Sequence, residues 1–395
     1  MNMRLGEFVA LTAMMISLVA LSIDAMLPAL PVIGMDLGVV NANDNQLVVS
    51  SLFLGLAIGQ FIYGPISDST GRKPAIYVGL ILFIFGCFLS IFATSYPVML
   101  AGRVLQGIGV AGPRTITVAI VRDKYSGADM AKIMSFVMAV FIIVPTLAPA
   151  VGQGILMIST WRMIFAVLLA MAVICFVWFA VRQDETLPRS NRATLSFSRI
   201  FSAVRETCAN RVSFGYTVAA GLVFGAFIGY LNSAQQIFQN QYGLGELFPV
   251  YFGALALSIG VMSFLNGKLV HRLGMHLLTL RALQLTVILS ITFLGIGLFI
   301  DQGMPLWMFM TWALSVFLCQ GVLFGNINAL AMEPLGHIAG TGAAIVGSLT
   351  TFISLFFGTL IGQAYNGTTL PLIGGFAVLG MISLLVMRWI NQPNH

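Results

Sequence analysis

Apolar stretches of about twenty residues recur from one end of this 395-residue chain to the other. Each has the length needed to cross about 30 Å of hydrocarbon. In lipid every backbone N–H and C=O must be bonded inside the protein, so uninterrupted runs of this kind are helices. A β-barrel would show strands of alternating polarity, about ten residues long, and none occur. Only 8% of the residues are charged and the mean hydropathy is +0.97, against about 25% charged in a soluble domain. The expected fold is an all-α polytopic membrane protein with almost no soluble domain.

The pattern predicts twelve helices, at 8–30, 46–66, 75–94, 97–121, 132–157, 162–181, 212–236, 248–269, 276–299, 305–329, 338–363 and 370–391. Lysines and arginines orient them, because positive charge collects on cytoplasmic connections. The even connections carry Arg72 and Lys73; Arg122, Lys124 and Lys132; six arginines from Arg182 to Arg211; and Lys268, Arg272 and Arg281. The odd connections carry Arg162 and little else. Both termini are therefore expected in the cytoplasm, with Arg4 and Arg388 in agreement. The even connection near Glu333 and His337 has no lysine or arginine and gives no support.

The longest connection, from Arg182 to Arg211, is polar, basic and central. It divides the chain into an N-terminal six-helix bundle, 1–181, a cytoplasmic linker, 182–211, and a C-terminal six-helix bundle, 212–395. A repeat agrees with this division. Gly64-Pro65-Ile66-Ser67-Asp68-Ser69-Thr70-Gly71 follows the second span and Gly267-Lys268-Leu269-Val270-His271-Arg272-Leu273-Gly274 the eighth, an offset of 203 residues. Two pseudo-symmetric parallel halves are one recognised transporter design.

Several function classes are disfavoured. The net charge of +6 is spread over loops between apolar segments and forms no nucleic-acid patch. Cys87, Cys175, Cys208 and Cys319 have no paired spacing, so neither disulfides nor a metal site is expected. The first apolar run is too long for a signal-peptide core and is expected to remain as a helix. An intramembrane enzyme needs clustered ligands or a nucleophile with a base. His271, His276, His337 and His395 instead lie at loops, a helix end or the terminus, and no catalytic residue or cofactor is expected.

Four motifs stand out: Asp24-Ala25-Met26-Leu27-Pro28-Ala29-Leu30-Pro31; Gly64-Pro65-Ile66-Ser67-Asp68 with Gly71-Arg72-Lys73-Pro74; Gly102-Arg103-Val104-Leu105-Gln106-Gly107; and Pro145-Thr146-Leu147-Ala148-Pro149-Ala150-Val151-Gly152-Gln153-Gly154. Through them the chain resembles the major facilitator superfamily over essentially its full length. Trp161-Arg162 with Phe165, and Glu185-Thr186-Leu187-Pro188, are smaller echoes. Within the superfamily the chain is most similar to the twelve-helix drug:proton antiporters of the bicyclomycin/chloramphenicol-resistance (Bcr/CflA) family. Ser69 stands where an arginine is usual, His271 where the second-half loop would have its aspartate, and Pro145 and Gln153 where glycines are common.

The resemblance implies export of small amphiphilic drugs in exchange for protons, by a monomer in the inner membrane, driven by the proton gradient without a cofactor. It also implies a cytoplasmic gate at Gly64, Asp68, Gly71, Arg72 and Lys73 that stabilises the outward-facing state. The glycines are expected to permit a tight turn, and Asp68 to oppose a helix N-terminus or a cation. In the fifth span, Pro145, Pro149, Gly152 and Gly154 remove bulk and backbone donors, so that the helix bends and another approaches.

Asp24 and Arg103 carry the mechanism. Charges at membrane depth are costly and usually pair, face water or mark a transport pathway. Asp24 lies six residues inside the outer end of the first span and Arg103 six residues inside that of the fourth. At about 1.5 Å per residue both sit about 9 Å deep. Asp24 is expected to bind and release the proton while Arg103 modulates it, a static salt bridge being the alternative. Arg114, deeper in the fourth span, has three readings: pairing near the cytoplasmic gate, snorkelling, or contact with an anionic substrate group. The second-half spans hold no comparable acid, so coupling is expected in the first half. Tyr230, Asn232, Gln236, Gln320, Asn326 and Asn328 are candidate cavity residues, or else hydrogen-bonding glue between helices. The 30 phenylalanines and 21 methionines are expected mostly to pack or face lipid, some lining an adaptable pocket. A proton-coupled exporter or importer of a small metabolite on the same fold remains the alternative function, with a non-transporting membrane protein or an intramembrane enzyme as remote ones.

Overall fold

The computed structural model describes residues 3–193, 196–300 and 303–392; the Lys132 side chain and His395, both named above, lie outside the described set. Twelve helices of 20 to 32 residues match the twelve predicted spans. They are α1 (Leu5–Asp24), α3 (Leu47–Thr70), α4 (Arg72–Ile91), α5 (Tyr96–Lys124), α6 (Gly127–Ile158), α7 (Arg162–Arg182), α9 (Arg211–Gln235), α10 (Phe248–Leu273), α11 (Met275–Leu298), α12 (Leu306–Met332), α13 (Ala339–Gln363) and α14 (Leu370–Ile390). Two shorter helices, α2 (Leu30–Asp36) and α8 (Phe197–Ala209), complete the set, and the described residues contain no strand. The protein is a multi-pass membrane protein.

The chain forms two compact units, residues 1–201 and 202–395. In the first, α5 packs against α3 and α4, α1 against α6, and α4 against α7. In the second, α12 packs against α10 and α11, α9 against α13, and α11 against α14. Span by span these are the same pairings, so the duplication suspected from two glycine-bounded segments extends to the packing. Small residues permit the closest approaches, as expected where lipid gives helices no hydrophobic reason to associate. A β-carbon on Gly109 of α5 would press on the backbone N–H of Phe83 in α4, and one on Gly107 would collide with the Leu52 carbonyl of α3.

Two local expectations are corrected. The first span is not one helix: α1 ends at Asp24, a short 3₁₀ turn covers Leu27–Ala29, and α2 follows. Pro28 has no N–H to give the Asp24 carbonyl, and Pro31 has none for Leu27, so the ladder fails at the acid. The segment 64–70 is not a loop but the last turns of α3. Gly71 alone makes the turn, at φ +111°, and Gly274 repeats it at φ +77°. Gly64 therefore serves no turn. Within the central connection the chain folds α8.

Candidate functional site

Asp24 is the last residue of α1 and is 5% exposed. Among the described residues its carboxylate has no ion-pair partner. Arg103 of α5 is fully buried close by, yet all its hydrogen bonds go to neutral acceptors. Nε donates to the Val48 carbonyl of α3 at 3.0 Å, and one terminal nitrogen to the Ser22 carbonyl of α1 at 2.7 Å. The other donates to Gln106 Oε1 at 2.5 Å. Gln106 in turn donates to the Gly86 carbonyl at 3.1 Å and to Ser90 Oγ at 3.0 Å, both on α4. A helix end leaves its last carbonyls without partners, and a cation there also complements the helix dipole. Arg103 thus caps the C-terminus of the helix that carries Asp24, and ties α1 to α3, α4 and α5. The two charges meet through backbone rather than as a salt bridge.

The fifth-span motif converges on the same break. A β-carbon on Gly152 of α6 would collide with the Ala25 carbonyl, one residue from Asp24. Gly152 is therefore the contact that lets α6 reach the interrupted backbone. Gly154 behaves differently: it is exposed, and a β-carbon there meets nothing within 4 Å. Pro149 is buried and Pro145 partly exposed, and α6 stays one continuous helix through both. Phe165 of α7 links the fourth-span motif to Trp161, with Arg103 over its ring at 5.7 Å and Trp161 edge-on at 6.0 Å. Arg162, the exceptional base among the odd connections, is held locally by Asp36 at 2.7 Å and the Ala93 carbonyl at 3.1 Å.

At the other end of this unit the loop motif forms a charge network. Arg72 bonds Ser67 Oγ at 2.6 Å, Asp68 Oδ1 at 2.5 Å and Asp123 Oδ2 at 3.0 Å. The acid at the α4 N-terminus is Glu185, which accepts from the backbone N–H groups of Arg72 at 3.0 Å and Lys73 at 3.1 Å. Asp68 instead takes the cation. Lys73 Nζ donates to the Ala180 carbonyl at 3.0 Å. Asp123 and Glu185 were not among the expected site residues. Glu185 belongs to the Glu185-Thr186-Leu187-Pro188 echo, and Asp123 lies between Arg122 and Lys124. Arg114, on the same helix as Asp123, is partly exposed and has no ion pair among the described residues.

In the second unit the polar candidates separate. Asn326 exchanges amide bonds with Asn266 of α10 at 2.8 and 3.2 Å, a partner not anticipated from the sequence. Asn232 donates to the Gly358 carbonyl of α13 at 3.2 Å. Gln236 is buried where α9 passes into a wide helical turn, Gln236–Gln241, and its carbonyl accepts from Tyr365. Tyr230 and Gln320 are each 1% exposed, whereas Asn328 is exposed.

Residues 12–359 match the family profile "Major Facilitator Superfamily". The chain is 27% identical over 379 residues to a bicyclomycin resistance protein homolog of Haemophilus influenzae, covering 94% of this chain and 93% of that one. It is 30% identical over 333 residues to the multidrug resistance protein MdtL of Salmonella heidelberg, covering 82% and 80%. The solved xylose transporter XylE from E. coli shares the fold at a TM-score of 0.73, with 13% identity over 98% of each chain. Motifs, duplicated packing and full-length likeness agree: this chain belongs to the Major Facilitator Superfamily of membrane transporters, among the relatives of its bicyclomycin- and multidrug-resistance proteins.

Proposed function

We propose that this transporter exports small amphiphilic compounds in exchange for protons, and that Asp24 carries the proton. The observation behind the reading is a buried carboxylate on the break of a membrane-spanning segment, with no ion pair among the described residues. Such a group can pass between protonated and charged states as its access to water changes, whereas a locked salt bridge resists the change. The nearby cation is occupied in holding backbone and leaves the acid free to titrate. The names of the relatives support drug export.

In this reading the first unit couples protons and the second supplies the substrate surface. Both termini face the cytoplasm, and the protein works as a monomer in the inner membrane without a cofactor. The Asp68–Arg72–Asp123 cluster acts as the cytoplasmic gate, with Glu185 fixing the start of α4. If one net charge moves per cycle, about 2.3 kcal/mol per 100 mV becomes available. That sustains roughly fortyfold accumulation, since about 1.4 kcal/mol is tenfold.

The test is overproduction in a drug-sensitive host, scored against chemically diverse antibiotics with and without an uncoupler. Raised resistance that the uncoupler abolishes is expected. Unchanged resistance throughout, or increased drug accumulation in the cells, would refute export.

A further inference from the structure

Phe317, Gln320, Phe324 and Asn328 follow one another on α12 at spacings of three and four, and so share one face. Exposure rises along this stripe. Phe317 and Gln320 are buried, Phe324 is partly exposed and Asn328 is exposed. Beside Phe324, Gly325 borders open space, where an added β-carbon would meet nothing within 4 Å. Helix α9 lays a second aromatic row alongside. Phe224 stacks on Phe324 with centroids 4.2 Å apart and planes 27° from parallel. Phe227 meets Phe324 at 5.3 Å and Phe317 at 5.9 Å, both edge-on. Phe224 and Phe227 are themselves partly exposed.

Gln320 sits inside this aromatic corner, between two phenylalanines of its own stripe. Its Oε1 is buried and, among the described residues, accepts no hydrogen bond. Native interiors satisfy nearly all such atoms, and an exception calls for an explanation such as a partner that comes and goes. The neighbouring Asn266–Asn326 pair offers a contrast, since those amides bond each other and leave nothing for a ligand.

We propose that Phe224, Phe227, Phe324 and Gln320 form a docking platform for one planar aromatic ring that donates an N–H or O–H to Gln320 Oε1. The inference rests on the transport reading and assigns that reading a substrate class. A ring entering from the end marked by Gly325 and Asn328 lies on Phe324 in the offset or edge-on arrangement that aromatic quadrupoles favour. An edge substituent then points one helical turn along α12, where Gln320 waits. A saturated or donor-free compound gains only part of this.

The test is fluorescence titration of the purified full-length protein in detergent with proflavine and acridine orange. These share one planar ring system, but methyl groups replace the exocyclic N–H donors in acridine orange. The wild-type protein is expected to prefer proflavine roughly three- to tenfold, the worth of one net hydrogen bond. Gln320→Leu should erase that preference while keeping or raising thermal stability, because it removes an unpartnered buried polar group. Phe324→Ala, at a partly exposed position, should weaken both dyes roughly tenfold. No saturable proflavine binding, an unchanged dye ratio in Gln320→Leu, or unchanged affinities in Phe324→Ala would each overturn the platform. Binding needs no gradient, so this outcome is read separately from export: intact binding without uncoupler-sensitive resistance rejects the transport reading alone.

Discussion

Arg103 donates to the Ser22 carbonyl at 2.7 Å and thereby caps the helix that ends at Asp24. On the proposed reading the arrangement divides the work between the two buried charges. Arg103 is committed to backbone on α1 and α3, so its removal is felt first as instability. In the proposed cycle Asp24 is left to carry the proton.

Arg103→Ala should therefore lower the melting temperature of the purified protein, as read by thiol-reactive or intrinsic fluorescence. It strands the Ser22 carbonyl near the end of α1 in a dry interior, at about 1–3 kcal/mol, and removes the tie to the Val48 carbonyl, which keeps its own ladder partner in α3. Arg103→Lys should recover only part, since one ammonium cannot reproduce a planar fork reaching three acceptors. Unchanged melting in Arg103→Ala would show that water or a neighbour takes over the cap.

Gly152 and Gly154 should part company. Gly152→Val drives a side chain into the Ala25 carbonyl beside Asp24, and transport should fall at least tenfold with the protein still inserted. Gly154→Val meets open space and should be near neutral. Equal effects of the two substitutions on uptake into everted vesicles would contradict the packing seen here.

Glu185→Gln should destabilise the cytoplasmic end of the first unit. The carboxylate accepts from two backbone N–H groups at the α4 N-terminus, and an amide offers one oxygen and no charge. A loss of about 1–3 kcal/mol is expected, as for a hydrogen bond to a charged group. Limited proteolysis of the α3–α4 turn reports it. Wild-type resistance to cleavage in the variant would argue that Glu185 is incidental.

Asn266→Leu and Asn326→Leu should each cost about 1–3 kcal/mol, because each strands the partner amide. The double variant should recover most of that loss, since two apolar groups leave nothing unsatisfied. Additive losses in thermal melts would contradict a reciprocal pair.

The sequence made the helix count and the duplication readable for a physical reason: lipid forces backbone bonding within each span, and spans of that length have one solution. That Asp24 and Arg103 come to one level was readable too, because rise per residue is fixed. What they bond to was not. Two spans can place charges at one level, yet the azimuth of each helix and the effect of Pro28 on the Asp24 carbonyl decide whether side chains meet. Likewise Glu185 lies 113 residues from the Arg72 N–H that it accepts. No local pattern pairs them. The aromatic corner was hidden for the opposite reason: among 30 phenylalanines, spacing alone does not mark those of α9 that face α12.

The central claim is that Asp24 carries the proton. It is tested most directly by reconstituting the wild-type protein and Asp24→Asn into liposomes and imposing a pH gradient on a substrate from the resistance panel. The account predicts that the variant keeps substrate binding and melting temperature but loses all gradient-driven accumulation. Accumulation by Asp24→Asn at the wild-type level would contradict it.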